Sequence, residues 1–424
     1  MFDPATHSLK RGLPGTKETV AMLAGLMALN AFAIDAMLPA LPAIGTDLGV
    51  AQENRRQLVV VAYFFGFGLT QLVWGPLADR FGRKPVLAVG VLLYASFALL
   101  CGIAGSFALL ISSRVAMGAS AAVTRVLVVA MVRDLFDGEA MARIMSLVFM
   151  VFMVVPVIAP SIGQLILLFA PWRWIFLVLA AYGLAMLLWA WIRLPETLHP
   201  EYRRSLRWSE IGSGIRQTLS ERQSLGYTVA LTAIFGGLTA YIASIQQIVF
   251  DVFHAPAAIG LVFAAVAAPM SLASWYNARI VTRFGLRHVG HLGVIAFALV
   301  TFGHAVLAAL IEEPLWLFAG LQALAMAAFA FTSANLSTLA MEHMAPIAGT
   351  ASSVQGVIGT IGGAGIGLVI GQSFDGTQLP FLAGIAICGA LGLVLTLVTE
   401  KGRLMREPRQ PAVVTEEMVQ FPIE

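Results

Sequence analysis

Charge is what this chain has least of. Of its 424 residues only 12% are Asp, Glu, Lys or Arg, while 59% are hydrophobic. An ordinary soluble domain carries roughly a quarter charged residues, so a soluble globule is excluded. Cysteine is nearly absent too: Cys101 and Cys388 each stand inside an apolar run, which leaves neither a disulfide framework nor a metal-ligand spacing. There is no Gly-x4-Gly-Lys-Ser/Thr loop, which removes a nucleotide-driven pump from consideration. His291 and His304 are isolated in or beside one apolar segment, so no His/Asp or Cys/His cluster supports a membrane-embedded enzyme. The formal charge of +3, from 26 basic and 23 acidic residues, is too small to imply nucleic acid. The 40 Gly and 19 Pro are dispersed through apolar sequence and form no disordered or collagen-like tract.

What is present is a succession of long apolar segments: 19–45, 57–78, 86–105, 107–132, 144–170, 174–194, 226–250, 257–281, 289–310, 315–340, 348–372 and 379–399. Their lengths suit membrane-spanning helices and lack the alternation of a β-barrel. The first segment follows Lys10, Arg11 and Lys17 but runs on without a small-residue cleavage site, so it reads as a retained helix. The chain is thus expected to be an all-α polytopic membrane protein with twelve spans. Counting Lys and Arg in the connections puts 21 on the side of the termini against Arg55, Arg56 and Arg173 on the other. The positive-inside rule then places both termini in the cytoplasm.

One long polar connection, 195–225, separates two sets of six spans, giving bundles at 19–194 and 226–399 between tails at 1–18 and 400–424. Trp208, Ile211 and Ile215 recur at helical spacing within it, as in an amphipathic surface helix. The two sets echo each other. Asp79-Arg80-Phe81-Gly82 after the second span corresponds, at an offset of 203, to Thr282-Arg283-Phe284-Gly285 after the eighth. Two pseudo-symmetric six-helix bundles with a cavity between them is the architecture this implies.

Four features carry chemistry. Asp35 is the only carboxylate deep within an apolar segment, and such residues are costly and functional by default. Pro39 cannot donate to the carbonyl of residue 35, so the helix opens there. In span four, Arg114 shares a stripe with Gly118 and Ala122. At 1.5 Å per residue, Asp35 and Arg114 lie roughly 14 and 10 Å below the same membrane face, depths at which they can meet. Such a pair is either a fixed structural ion pair or a proton-coupling site. Arg125, three turns further on, either lines the cytoplasmic half of the cavity or snorkels toward the surface. Span five bends at Pro156 and Pro160, with Gly163 following. After span two, Gly75 is suited to a close helix approach and Gly82 to a tight turn, while Asp79 is placed to pair with Arg83.

These strings resemble the major facilitator superfamily, and within it the drug:proton antiporters of the bicyclomycin and chloramphenicol resistance group, over roughly Ala31 to Val398. The resemblance rests on Gly75-Pro-Leu-Ala-Asp-Arg-Phe-Gly-Arg-Lys-Pro85, on the Arg114 stripe, on the Asp35 string and on Ala348-Gly-Thr-Ala-Ser-Ser353. It implies that Gly75, Asp79, Arg80, Gly82 and Arg83, with Asp134, latch the halves in the outward-facing state, and that Pro156, Pro160 and Gly163 form an exporter motif. Here Ala159 and Gln164 stand where that motif has flanking glycines.

The function expected is efflux of amphipathic drugs, neutral or zwitterionic compounds such as amphenicols at least as readily as lipophilic cations, across a bacterial inner membrane by alternating access. Asp35 would exchange a proton for drug and Arg114 would tune it. The proton gradient supplies the energy with no cofactor or metal, and the chain works as a monomer in the bilayer. Polar and aromatic residues within spans are candidate drug contacts: Asn30, Tyr63, Gln71, Tyr241, Gln247, Asn335 and Gln355. Each has an alternative as an interhelical hydrogen bond. The rival reading is a proton-coupled importer of a sugar or small organic anion, clamped by Arg114 and Arg125.

Overall fold

The computed structural model describes residues 14–136, 138–199, 201 and 208–405, with the backbone alone at 138, 139, 142, 149, 150, 152, 153 and 208–211. Fourteen α-helices run through these residues: α1 Thr16–Asp35, α2 Leu41–Asp47, α3 Leu58–Phe81, α4 Arg83–Gly102, α5 Phe107–Leu135, α6 Gly138–Phe169, α7 Arg173–Arg193, α8 Trp208–Ser220, α9 Arg222–Gln247, α10 Ile259–Phe284, α11 Leu286–Leu310, α12 Leu315–Met341, α13 Ala348–Gln372 and α14 Leu379–Thr399. Eleven spans are long and apolar enough to cross a membrane by composition, the first of them α1 and α2 together. Helix α6, which contains Pro156 and Pro160, supplies a twelfth with its apolar part Val154–Phe169. The outside of the bundle is apolar where a soluble protein would be polar: Leu168, Leu188, Ile192, Leu299, Leu310 and Val369 all stand exposed. That is the surface a lipid-embedded helical protein must present.

The helices divide as the internal echo requires. In the first half α5 is flanked by α3 and α4, and α1 lies on α6 and α7; in the second half α9 contacts α12, α13 and α14, and α11 contacts α12 and α14. The halves meet along α3 with α13 and along α6 with α10. The repeat is visible in the backbone. Gly82 (φ 101°) and Gly285 (φ 81°), 203 residues apart, each end one span and start the next in a single residue. Only glycine enters that region without steric cost.

Inter-half hydrogen bonds gather at the end remote from the termini. Asn54 Nδ2 donates to the carbonyls of Gln372 (3.1 Å) and Phe374 (2.9 Å), and Gln372 Nε2 returns a bond to the Asn54 carbonyl (2.7 Å). Gln247 Nε2 donates to Asn54 Oδ1 (3.1 Å) and Gln57 Nε2 to Gln247 Oε1, while Gln164 Nε2 reaches the Pro256 carbonyl (3.1 Å). Helix α8 lies against α13 and α9 at the other end. Of the expected amphipathic face, Ile215 is half-buried, and the side chains of Trp208 and Ile211 lie outside the described residues, as do Lys10 and Arg11.

Candidate functional site: a cavity between the halves

A cavity of about 550 Å³ lies between the two halves. Asp35 and Tyr241 stand at its head, and Ser337, Met341, Ser352 and Gln355 line it near the terminal ends of α12 and α13. Ser337 and Ser352 are exposed. The molecule is therefore open on the side of its termini and sealed on the other. Between these levels the wall is made of Met27, Phe64, Phe235, Phe263, Met326 and Phe329. It suits an apolar body with few polar points, the usual character of a small-molecule site.

Asp35 is the last residue of α1; a turn and the 3-10 helix Leu38–Ala40 follow before the span resumes in α2. This is the break that Pro39 predicts. Opposite, Gly163 on α6 sits so close that an added Cβ would lie 1.8 Å from the Ala36 carbonyl oxygen. The prolines of α6 thus end in a contact with the residue next to Asp35. Pro156 lines the cavity and Pro160 is buried.

Asp35 is 4% exposed, and its Oδ1 is shut off from solvent without a hydrogen-bond partner. The expected pairing with Arg114 is not made in this state. Arg114, fully buried, donates from Nε to the Val59 carbonyl (2.9 Å) and from Nη1 to the Ala33 carbonyl (3.1 Å). It lies over the rings of Tyr63 (4.6 Å) and Phe176 (5.9 Å). The reason is the helix break itself: the last carbonyls of α1 lack helical partners, and a guanidinium is a favourable cap at that negative end. One nitrogen, Nη2, remains unpartnered.

The other candidates separate into cavity and scaffold. Asn30, Tyr241 and Gln355 line the cavity, with Gln355 Nε2 bonded to Ser224 Oγ (2.9 Å) and the Ala340 carbonyl (3.0 Å). Tyr63 is buried behind it, donating to Asn30 Oδ1 (3.0 Å), while Asn30 Nδ2 donates to Thr124 Oγ1 (2.9 Å). Arg114 and Tyr63 therefore reach the cavity only through Asn30 and the end of α1. Gln71 crosses between halves to Thr360 Oγ1 (3.0 Å). Of the expected drug contacts, Tyr63, Gln71, Gln247 and Asn335 do not line the cavity in this state: Gln247 belongs to the far-end seal, and Asn335 is held by Asn277 Oδ1 (2.8 Å) and the Phe331 carbonyl (2.7 Å). Arg125, left between two readings by the sequence, does line it.

The latch expected of the loop after α3 belongs to the outward-facing state; in the present state its charges pair within the first half. Arg83 bonds Asp79 (2.6 Å) and Asp134 (3.0 Å), Thr197 donates to Asp134 (3.2 Å), and Glu196 receives the backbone N–H groups of Arg83 (2.8 Å) and Lys84 (3.1 Å). Glu196 thereby caps α4, a role the sequence reading missed. All these partners belong to the first half and its exit, so in this state the cluster ties one half together and does not latch it to the other. Arg80 is exposed, over the Phe81 ring. Gly75 has room: an added Cβ would meet only Val126 Cγ1, at 3.8 Å.

Neither histidine is isolated. His291 is bonded to Tyr227 (3.0 Å) and to the Met405 N–H (2.9 Å). His304 pairs with Glu313 (3.0 Å) and accepts from Gln322 (3.2 Å), all three buried. Glu313 is a second buried carboxylate, hidden from sequence reading because it stands in a connection.

Comparison with known proteins agrees with this architecture. The profile described as Major Facilitator Superfamily matches residues 23–368. A bicyclomycin resistance protein homolog of Haemophilus influenzae is 30% identical over 370 residues, covering 87% of this chain and 92% of the relative. The multidrug resistance protein MdtL of Shewanella oneidensis is 36% identical over 173 residues, 41% of this chain and 43% of that one. The crystal structure of a D-xylose-proton symporter superposes with a TM-score of 0.70 at 15% identity, covering 92% of this chain and 98% of that one, a likeness of fold alone.

Proposed function

Given that the chain belongs to the major facilitator superfamily, and so is a multi-pass membrane transporter and no enzyme, we propose that it is a drug:proton antiporter of a bacterial inner membrane, with both termini cytoplasmic. On that orientation the structure is inward-open, ready to receive drug from the cytoplasm. The observation that carries the reading is Asp35: a buried carboxylate at the head of the cavity that makes no hydrogen bond or ion pair among the described residues. A carboxylate so placed is far more costly charged than neutral, the property that a site for binding and releasing a proton requires.

The alternating step uses the break in α1. Arg114 holds the Ala33 carbonyl two residues from Asp35 and has Nη2 free. A shift of the broken segment against Gly163 brings the carboxylate to the guanidinium, which stabilises the charged form. Drug entering the cavity displaces the proton, and the loaded carrier then opens on the far side by breaking the Asn54, Gln57 and Gln247 seal. The proton gradient is the energy source, no cofactor takes part, and one chain suffices. The names of the relatives support drug as the cargo, with bicyclomycin-type compounds among the first to try; amphenicols follow from the resemblance alone.

The test is a susceptibility and efflux panel in an efflux-deficient bacterium. Wild type should raise resistance to at least one amphipathic class, and Asp35→Asn, expressed to the same level, should abolish it. Full resistance in the variant refutes the assignment of Asp35; drug uptake driven by inward protons would support an importer instead.

A further inference from the structure

The cavity carries two opposite charges at two depths, and this polarity defines what it can hold. Among the described residues that line it, Asp35 and Arg125 are the only charged ones. Arg125 faces the cavity as an exposed side chain deep inside the bundle, and it has no hydrogen bond or ion pair among the described residues. A cation within a membrane bundle is costly and faces a polar pathway or a partner. No described residue supplies that partner.

The spacing follows from the bond between Asn30 and Thr124, which sets α1 and α5 in register next to Arg125. Asp35 lies five residues beyond Asn30, about 7.5 Å further along the axis at 1.5 Å per residue. Between the two charges the wall is aromatic and methionine-rich, with Phe64, Phe235 and Phe329 among its residues. Ser333 and Ser337 add hydroxyls toward the open end.

Charge then sorts the candidates. A simple lipophilic cation satisfies Asp35 but is repelled by Arg125, whose guanidinium stays charged at any working pH. A simple anion satisfies Arg125 but binds best when Asp35 is protonated, which moves proton and cargo together and defeats exchange. A molecule with a cationic or hydrogen-donating end for Asp35 and an anionic or acceptor end for Arg125 competes with the proton and meets both groups. We propose that the cavity is built for bipolar aromatic amphiphiles, zwitterions above all, whose acidic end is held by Arg125 in a charge-assisted, two-pronged hydrogen bond. This rests on the antiport reading for its direction, but the binding polarity stands on the cavity itself.

The experiment measures equilibrium binding to the full-length protein in detergent at neutral pH with three probes on one ring system: a fluoroquinolone zwitterion, its methyl ester (a cation) and its N-acetyl derivative (an anion). Wild type should bind the zwitterion at least tenfold more tightly than the ester. Arg125→Gln should weaken zwitterion binding about tenfold and leave ester binding unchanged or tighter, and Arg125→Lys should fall between. Retained ester binding certifies that each variant is folded. Equal affinity of wild type for zwitterion and ester overturns the proposal without recourse to any variant, as does an unchanged ratio in Arg125→Gln. Export that fails to follow protons, with the Arg125 dependence of binding intact, refutes the antiport reading alone; intact proton-driven export with no charge preference refutes this inference alone.

Discussion

Replacing Gly163 by Ala adds one methyl group at the tightest contact near the proposed proton site. The new Cβ would lie 1.8 Å from the Ala36 carbonyl oxygen and 2.8 Å from its carbon, both backbone atoms that cannot rotate away. Restoring even the 3.0 Å lower bound of real Cβ contacts requires α6 and α1 to part by about 1.2 Å. Overpacking of this kind costs about 1–3 kcal/mol, against which the better helix propensity of Ala returns about 0.5–1 kcal/mol. A net loss of up to about 2.5 kcal/mol is expected, and any part that falls on the motion of α1 slows transport by about tenfold per 1.4 kcal/mol. The control is Gly75→Ala, a glycine of the recognised loop string whose added Cβ meets nothing nearer than 3.8 Å. Denaturant unfolding of the purified protein and drug efflux in everted vesicles should both be impaired in Gly163→Ala and near normal in Gly75→Ala. The opposite ranking would refute the packing argument.

Removing the charge in Arg83→Gln leaves Asp79 and Asp134 facing each other without their shared cation. The cost should be about 2 kcal/mol, below the 3–5 kcal/mol of fully buried pairs because Asp79 is 41% exposed, and a lower unfolding midpoint checks it. Asn54→Ala deletes three side-chain bonds of the far-end seal, those to Gln247 and to the carbonyls of Gln372 and Phe374. At about 0.5–1.5 kcal/mol each, their loss should shift the population toward the far-open state at least several-fold, read by spin-label distances across that end. Glu313→Ala strands buried His304, so the double change Glu313→Ala with His304→Ala should destabilise by less than the sum of the two single changes; a double-mutant cycle in unfolding free energy showing no coupling would contradict the pair.

Much of this molecule is legible in its sequence because a membrane leaves the chain few choices. Twelve apolar runs become spans since no other backbone arrangement without edges fits them, and the echo of Arg80-Phe81-Gly82 in Arg283-Phe284-Gly285 returns as two glycines with the same left-handed backbone. Asp35 stands out by the cost of its burial, and Pro39 marks the break beside it. Legibility ends where a side chain chooses between two plausible partners. The sequence sets Arg114 within reach of Asp35, but the orphaned carbonyl of Ala33 competes for it with the carboxylate, and only the three-dimensional arrangement decides. Gln247 and Asn335 are polar residues within spans like Asn30 and Gln355, and spacing alone does not tell a gate or a helix clasp from a cavity wall. Glu196 and Glu313 act from connections, where an acidic residue carries no sequence signal of burial.

Exchange of the kind proposed requires that drug and proton compete at Asp35. The direct measurement is drug-induced proton release from the purified, unbuffered protein in detergent, followed with a pH indicator. Wild type should release protons in proportion to drug bound, and Asp35→Asn should bind drug and release none. Drug binding to wild type with no proton release, or the same release from Asp35→Asn, would contradict it.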